Sequence, residues 1–363
     1  MIERKIQNVQ ALRGVAVLLV LVRHLYVMER NYGGGEMWLP AILKVGDAGV
    51  DLFFVISGFV MVWISRGRFQ RSGEFWAFLY RRATRIFPLY WLFSLLVLAV
   101  FLVSPAWVPA MQKGQVHLLA SFLLLPQLVL PLLGPGWTLD HEAYFYFVFA
   151  LALLLPERRL SLFLLLWGLA VAVGSNLYFR QAALLDNAAI KMITNPLTIE
   201  FVGGALVALA IRRGWRHGDW LCLIGGGLLL PLSHFFFDPL DVEGLRFFCF
   251  GLPAVLIVYG AVSLESRARV QFPRWLQSVG DASFSIYLSH ILVIEFVGRI
   301  WRGLGMPGLW GHVAALWVMT VAALGFGFAV YWWVEQPLLR VCHRWASGRK
   351  TPPITPHAGV VSP

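Results

Sequence analysis

Charge is what this 363-residue sequence has least of: Asp, Glu, Lys and Arg make up 13% of it, against 59% hydrophobic residues. A soluble surface draws on about 25% charged residues, so a pair of ordinary water-soluble domains is excluded. Cysteine is nearly missing too. Cys222, Cys249 and Cys342 are too few and too scattered for a disulfide framework or a metal site, and no metal is expected. The alternating pattern of an outer-membrane barrel is absent, as are internal repeats and any loop long enough to fold by itself. Acidic residues are also short, 19 against 30 basic ones, for a net charge of +11. In a soluble protein that excess would raise nucleic acid as a partner. In so apolar a chain it marks loops facing anionic lipid, so the expected partner is the bilayer and no nucleic acid.

What the sequence has is long apolar runs. Arg4 and Lys5 precede the first, as in a signal peptide, but Arg23 and His24 lie in its second half and no small-residue cleavage site follows. It reads as an uncleaved first span. Runs near bilayer-crossing length fall at about 10–28, 46–64, 86–103, 116–133, 140–155, 160–178, 195–211, 219–236, 247–264, 282–298 and 309–334. If 116–133 crossed fully, Arg158 and Arg159 would fall outside and the later arginines, among them Arg212, Arg213, Arg267, Arg269 and Arg340, would alternate onto the wrong faces. If it dips in and returns, they gather on the side that holds Arg66 to Arg85. Pro126 and Pro131 within it favour the same choice. The expected fold is all-α: a polytopic membrane helical bundle of about ten transmembrane helices plus a re-entrant or interfacial segment near 116–133. Its expected place is the bacterial cytoplasmic (inner) membrane with both termini cytoplasmic. Residues 1–345 form the membrane domain, and the Pro-rich 346–363 a disordered cytoplasmic tail.

Ionisable residues inside spans cost roughly 2.5–3.5 kcal/mol each on insertion scales, so they are the informative ones. Arg13 and His24 are eleven residues apart, which returns them to within about 20° of one helix face with roughly 16 Å between them along the axis. They line one wall of a cavity, Arg13 near its cytoplasmic end. The plainer account of a lone His is a satisfied core residue. Arg82 and Arg85 share a face at i, i+3, with Arg81 beside them, and suit phosphate oxygens; a positive-inside anchor would also explain them. Glu142 sits in GPGWTLDHEAYFYF with Trp137 and Tyr144, a carboxylate with an aromatic platform such as sugars meet. For Asp140 and His141 a solvated interfacial belt is the expected role. Asp51 lies four residues from Asp47, and its depth suggests Arg23 or His24 as partner. Gly46, Gly49 and Gly58 let neighbouring helices approach. Ser283, Tyr287 and His290 make a polar stripe, either for interhelical bonding or for substrate, and Glu335 reads as a cap or as a partner of the arginine-rich loop.

The chain resembles the acyltransferase 3 family of integral-membrane acyltransferases, and within it the single-domain exopolysaccharide O-acetyltransferases. The resemblance runs from about Ile6 to Arg340. It rests on VQALRGVAVLLVLVRH, GDAGVDLFFVISGF, the Arg-x-x-Arg of RRATRIFPLYW, WTLDHEAYFYF, FSIYLSH and YWWVEQP. It implies transfer of an acyl group, usually acetyl, from cytoplasmic acetyl-CoA to a carbohydrate acceptor met in the membrane or at its outer face. It also implies that Arg13 and His24 are the family's essential pair, that Arg82 and Arg85 hold the coenzyme phosphates, and that Glu142 is the acid of the Trp-Ser-Leu-x-x-Glu motif, here with Thr138 for Ser. No esterase-like domain follows the last span, which tilts the expectation towards exopolysaccharide assembly beside other polysaccharide-assembly proteins.

On that reading His24 is the general base for the attacking hydroxyl, and an acetyl-histidine intermediate is the other route. Arg13 and Glu142 join it as catalytic residues. Trp137, Tyr144, Asp51, Tyr287 and His290 are the candidate substrate contacts. Another glycan (a glucan, a Nod factor, an O-antigen) or a succinyl donor stays open, as does a transporter of a sugar-like or anionic solute, although transporters often show repeats or paired broken helices.

Overall fold

The computed structural model describes residues 6–104, 107, 116–181, 187–236, 245–306 and 308–347, and among these there are helices and no strand. The long helices are α1 (Gln7–Tyr32), α2 (Ala48–Ile64), α3 (Glu74–Val103), α5 (Gly136–Ala152), α6 (Leu160–Gln181), α8 (Leu197–Arg212), α9 (Asp219–Phe236), α10 (Leu252–Ser266), α12 (Ser283–Leu304) and α13 (Gly308–Val330). Shorter ones are α4 (Leu118–Leu123), α7 (Ala188–Ile193), α11 (Arg274–Asp281) and α14 (Gln336–Ser347). Eight helical segments are long and apolar enough to cross a membrane. Two more complete the expected set: α9, whose apolar part is shorter, and α5, which carries Asp140, His141 and Glu142 in its first half. The bundle is all-α and polytopic, as the apolar runs predict. The domain boundary placed at 345 falls inside α14, and tail residues 348–363 lie outside the described residues.

The suspect run 116–133 is not a crossing helix. Its helical part, α4, is six residues long, about 9 Å at 1.5 Å per residue against a core of ~30 Å. Leu124 ends it at φ 52°. The irregular chain that follows is half-buried, with Leu125, Leu128 and Leu130 facing outward, and it and α4 are tied to their neighbours through backbone groups. The Ser121 hydroxyl accepts from the Leu132 amide at 3.0 Å, the Ser121 carbonyl accepts from the Tyr90 hydroxyl at 2.6 Å, and Trp91 donates to the Phe122 carbonyl at 2.8 Å. Leu124, Leu132 and Leu133 are buried beneath it.

Helix α1 is the axis of the bundle, in contact with α2, α10, α11, α12 and α13. The first amides of any helix lack partners within it, and the Glu265 carboxylate at the end of α10 accepts two of them, from Gln7 at 2.8 Å and Asn8 at 2.6 Å. The buried Asn8 amide then bonds the carbonyls of Ala261 and Val270, locking the start of α1 to the α10–α11 connection. Close approach comes from missing side chains. A Cβ on Gly58 would stand 1.9 Å from the Phe201 carbonyl oxygen, and one on Gly204 1.8 Å from that of Val55, so α2 and α8 meet backbone to backbone. Gly46 and Gly49 likewise admit the α1 carbonyls of Leu19 and Ala16.

Overpacking a well-packed core costs typically ~1–3 kcal/mol, and at these glycines the obstacle is backbone. Gly58→Val and Gly204→Val are therefore expected to lose the monodisperse peak in detergent size exclusion. Gly225→Ala, with open space at its Cβ, should keep it.

Candidate active site

Helices α1, α2, α3, α5 and α12 line a cavity of about 130 Å³. Arg13 and Gln10 of α1, and Arg82 and Arg85 of α3, bring three guanidiniums to it. Ser57 of α2 and Glu142 and Tyr146 of α5 form another wall, and Thr138 with Tyr287 of α12 its far end. The Glu142 carboxylate accepts from the Ser57 hydroxyl at 3.1 Å and closely from the Tyr146 hydroxyl. Arg82, 8% exposed, lies over the rings of Phe78 and Tyr146 at 5.5 and 5.6 Å, and its Nε has no hydrogen-bond partner. Near Arg13 and Arg85, Glu335 accepts from the Ser285 hydroxyl at 2.5 Å. A π-helical turn, Tyr331–Glu335, delivers it there by turning Trp332 and Trp333 outward and Glu335 inward. Glu335 accepts from both the hydroxyl and the backbone amide of Ser285 and so caps the first turn of α12, and the member of the expected arginine-rich loop that it faces is Arg85. Three guanidiniums against Glu142 and Glu335 leave this region with an excess of positive charge, the electrostatics that suit an anion.

The cavity stops short of His24. Thr138 Oγ1 and the Tyr287 hydroxyl lie 2.8 Å apart and both reach the Pro135 carbonyl, at 3.0 and 3.4 Å, so that one hydroxyl donates to the carbonyl and the other to its neighbour. This pair of bonds closes the far end. Beyond it, the Tyr287 ring packs on His290 at 5.7 Å, and His290 on His24 at 4.8 Å. His24 Nδ1 is 2.8 Å from the Val20 carbonyl. A carbonyl only accepts, so Nδ1 carries the hydrogen and the neutral ring presents a lone pair at Nε2. Arg13 therefore lines the cavity and His24 does not, against the expectation of one shared wall: the Thr138–Tyr287 contact and the packed rings of Tyr287 and His290 stand between them.

Four expected contacts point elsewhere. Arg81 turns out of the cavity to pair with Glu74, since on α3 it lies about 70° off the direction midway between Arg82 and Arg85. Tyr144 faces α6, where Trp167 donates to its hydroxyl at 3.4 Å. Trp137 packs edge-on against His141 at 6.2 Å and is not among the cavity residues. Asp51 pairs with neither Arg23 nor His24: Arg246 grips it through two bonds of 3.0 and 2.8 Å, with the fully buried Glu200 of α8 against it, while Arg23 takes Asp47 at 2.9 Å. Asp140 is buried, not solvated, and bonds His141 Nδ1 at 2.8 Å.

Residues 6–332 match the family model of the acyltransferase 3 family, described as an acyltransferase domain. The chain belongs to this acyltransferase family. It is 34% identical to the exopolysaccharide production protein ExoZ of Rhizobium meliloti (strain 1021), over 82% of this chain and 90% of that one. It is 27% identical to the acyltransferase MdmB of Streptomyces mycarofaciens, over 94% and 93%. No solved structure matches it. In this acyltransferase the cavity residues that sequence reasoning missed are Gln10, Ser57 and Tyr146. Tyr146 is within its reach, since it lies at i+4 from Glu142 and shares its face. Glu200 carries the signal of any acid within an apolar run.

Removing one member of a buried ion cluster costs ~3–5 kcal/mol, because its partners stay buried without compensation. Arg246→Met is therefore expected to abolish folded yield, read as the detergent-extracted monodisperse fraction, and Arg246→Met with Asp51→Asn to recover much of it. Tyr144→Phe should change neither yield nor acyl transfer.

Proposed function

We propose that this protein is a membrane O-acetyltransferase that moves an acetyl group from cytoplasmic acetyl-CoA to a hydroxyl of an exopolysaccharide or its lipid-linked precursor, with His24 as general base. It would sit in the bacterial inner membrane with both termini cytoplasmic. The observation that carries the reading is the convergence of Arg13, Arg82 and Arg85 on one cavity, with the Arg82 Nε left without a partner; His24 lies beyond the Thr138–Tyr287 contact at its far end. Phosphates of the donor suit the guanidiniums, and the long pantetheine arm suits a path between apolar α2 and polar α5. The exopolysaccharide acceptor is supported by the name of the 34%-identical relative, and group transfer by that of the other.

In the reaction, Nε2 of His24 takes the proton of the acceptor hydroxyl as its oxygen bonds the thioester carbonyl carbon. The C–S bond then breaks, and the leaving thiolate collects the proton from the imidazolium. Thiolate leaves readily, so the protein's larger tasks are alignment and exclusion of water that would hydrolyse the donor. The surrounding apolar bundle serves the second. Glu142, held by Ser57 and Tyr146, helps to align the donor within the cavity.

A charge-assisted hydrogen bond is worth ~1.5–3 kcal/mol, so Arg82→Ala and Arg85→Ala should each raise the Kd for acetyl-CoA by about 10- to 100-fold in calorimetry on the purified protein. His24→Ala should leave that Kd unchanged and reduce transfer by about 10²- to 10⁴-fold. The acceptor is tested in a strain lacking the gene. The O-acetyl proton signal of its secreted polysaccharide should disappear and return with the wild-type chain but not with His24→Ala at matched membrane levels. A signal unaffected by deletion would refute the acetyl group or the acceptor.

A further inference from the structure

His290 has no task in the transfer described above, yet it is the ring that His24 touches. It is 1% exposed. Its Nδ1 lies 2.6 Å from the Tyr287 carbonyl, which fixes the hydrogen on Nδ1 by the same logic that holds for His24. Its Nε2 is therefore a bare lone pair, buried and without a hydrogen-bond partner. The two rings stand 4.8 Å apart, centroid to centroid, at 76° to one another. Two neutral imidazoles tied in this way gain little from the contact. Two charged ones would repel strongly in an apolar bundle. One charged and one neutral ring is the state this arrangement favours, since the neutral partner offers a lone pair and a π face to the cation. The charged groups acting on His24 are Arg23, from its own helix, and Asp47, from the turn before α2, which are already paired to each other. The Tyr287 hydroxyl is committed to Thr138.

We propose that His290 is a positioning residue: it stays neutral, fixes the ring of His24, and stabilises the imidazolium that forms there when the acceptor hydroxyl gives up its proton. This rests on the acetyl-transfer reading. His290 itself gains and loses no proton; the one taken from the hydroxyl rests on His24 until the departing thiolate removes it.

Inverted membrane vesicles carrying the full chain, supplied with [¹⁴C]acetyl-CoA and made permeable to protons, report transfer as alkali-labile label in the glycan fraction across a range of pH. His290→Phe keeps the ring shape without the lone pair, and His290→Gln restores an acceptor oxygen. Losing the lone pair and ring dipole that face the imidazolium should lower kcat in the Phe variant by about 10-fold while KM for acetyl-CoA holds. A less stabilised imidazolium leaves His24 unprotonated further into acid, so the acidic limb of the rate profile should move to lower pH. The Gln variant should recover part of both. A raised KM at unchanged kcat would overturn the inference in favour of a donor contact. An equal loss in both variants without a pH shift would reduce His290 to packing. Transfer by wild type that does not require His24 would instead overturn the acetyl-transfer reading, and this inference with it.

Discussion

An ion buried among apolar helices has to be answered by something, and the partners found here divide the interior of the molecule. Arg23 has Asp47, Arg246 has Asp51, and the fully buried Glu29 has His312 together with the amides of Trp38 and Leu39. Most of these ion pairs join segments far apart in sequence. Arg82 stands differently. Its charge rests over two aromatic rings, and its Nε reaches no acceptor. In a medium where an unanswered polar group is expensive, it is this charge, shared with Arg13 and Arg85 in one cavity, that the proposed donor would answer.

Such a cavity needs walls that hold still. The α2–α8 contact supplies one, because Gly58 and Gly204 let the two backbones touch and leave α2 little freedom to rotate its lining stripe. The α1–α11 contact supplies another: a Cβ on Gly280 would stand 1.7 Å from the Gln10 carbonyl oxygen, so the turn of α1 that carries Gln10 and Arg13 is fixed against a neighbour's backbone. The arginines thus sit on rigid elements, as a site that aligns a long, flexible donor requires.

Much of this is legible in the sequence, and the failures have a common geometry. Apolar run length yields the helices, and the two prolines with the arginine bias identify 116–133 as a segment that does not cross. The i, i+3 spacing of Arg82 and Arg85 places both in the cavity. Arg81 and Tyr144 fail for one reason: a motif groups residues by nearness in sequence, whereas a helix groups them by angle. Arg81 diverges from Arg82 by about 100°, and Tyr144 from Glu142 by about 200°, while Tyr146 returns to the same face. Asp51 fails for another. Its partner Arg246 is 195 residues away, and nothing local announces it. The barrier between Arg13 and His24 is equally invisible, since it depends on Thr138 and Tyr287, from different helices, meeting at 2.8 Å.

That barrier bears on how a donor and an acceptor from opposite sides of a membrane could meet. An open path from the arginines to the histidines would let water and protons through whenever the protein was idle. The hydroxyl contact stops this with a bond that is easily broken, because a neutral hydrogen bond contributes only ~0.5–1.5 kcal/mol net. A donor gaining several charge-assisted bonds at the arginines has ample binding energy to displace it. Under the proposed function, binding at one end then opens the way to chemistry at the other. The coupling needs no large movement, only the loss of one hydrogen bond between Thr138 and Tyr287, next to the ring on which His24 rests.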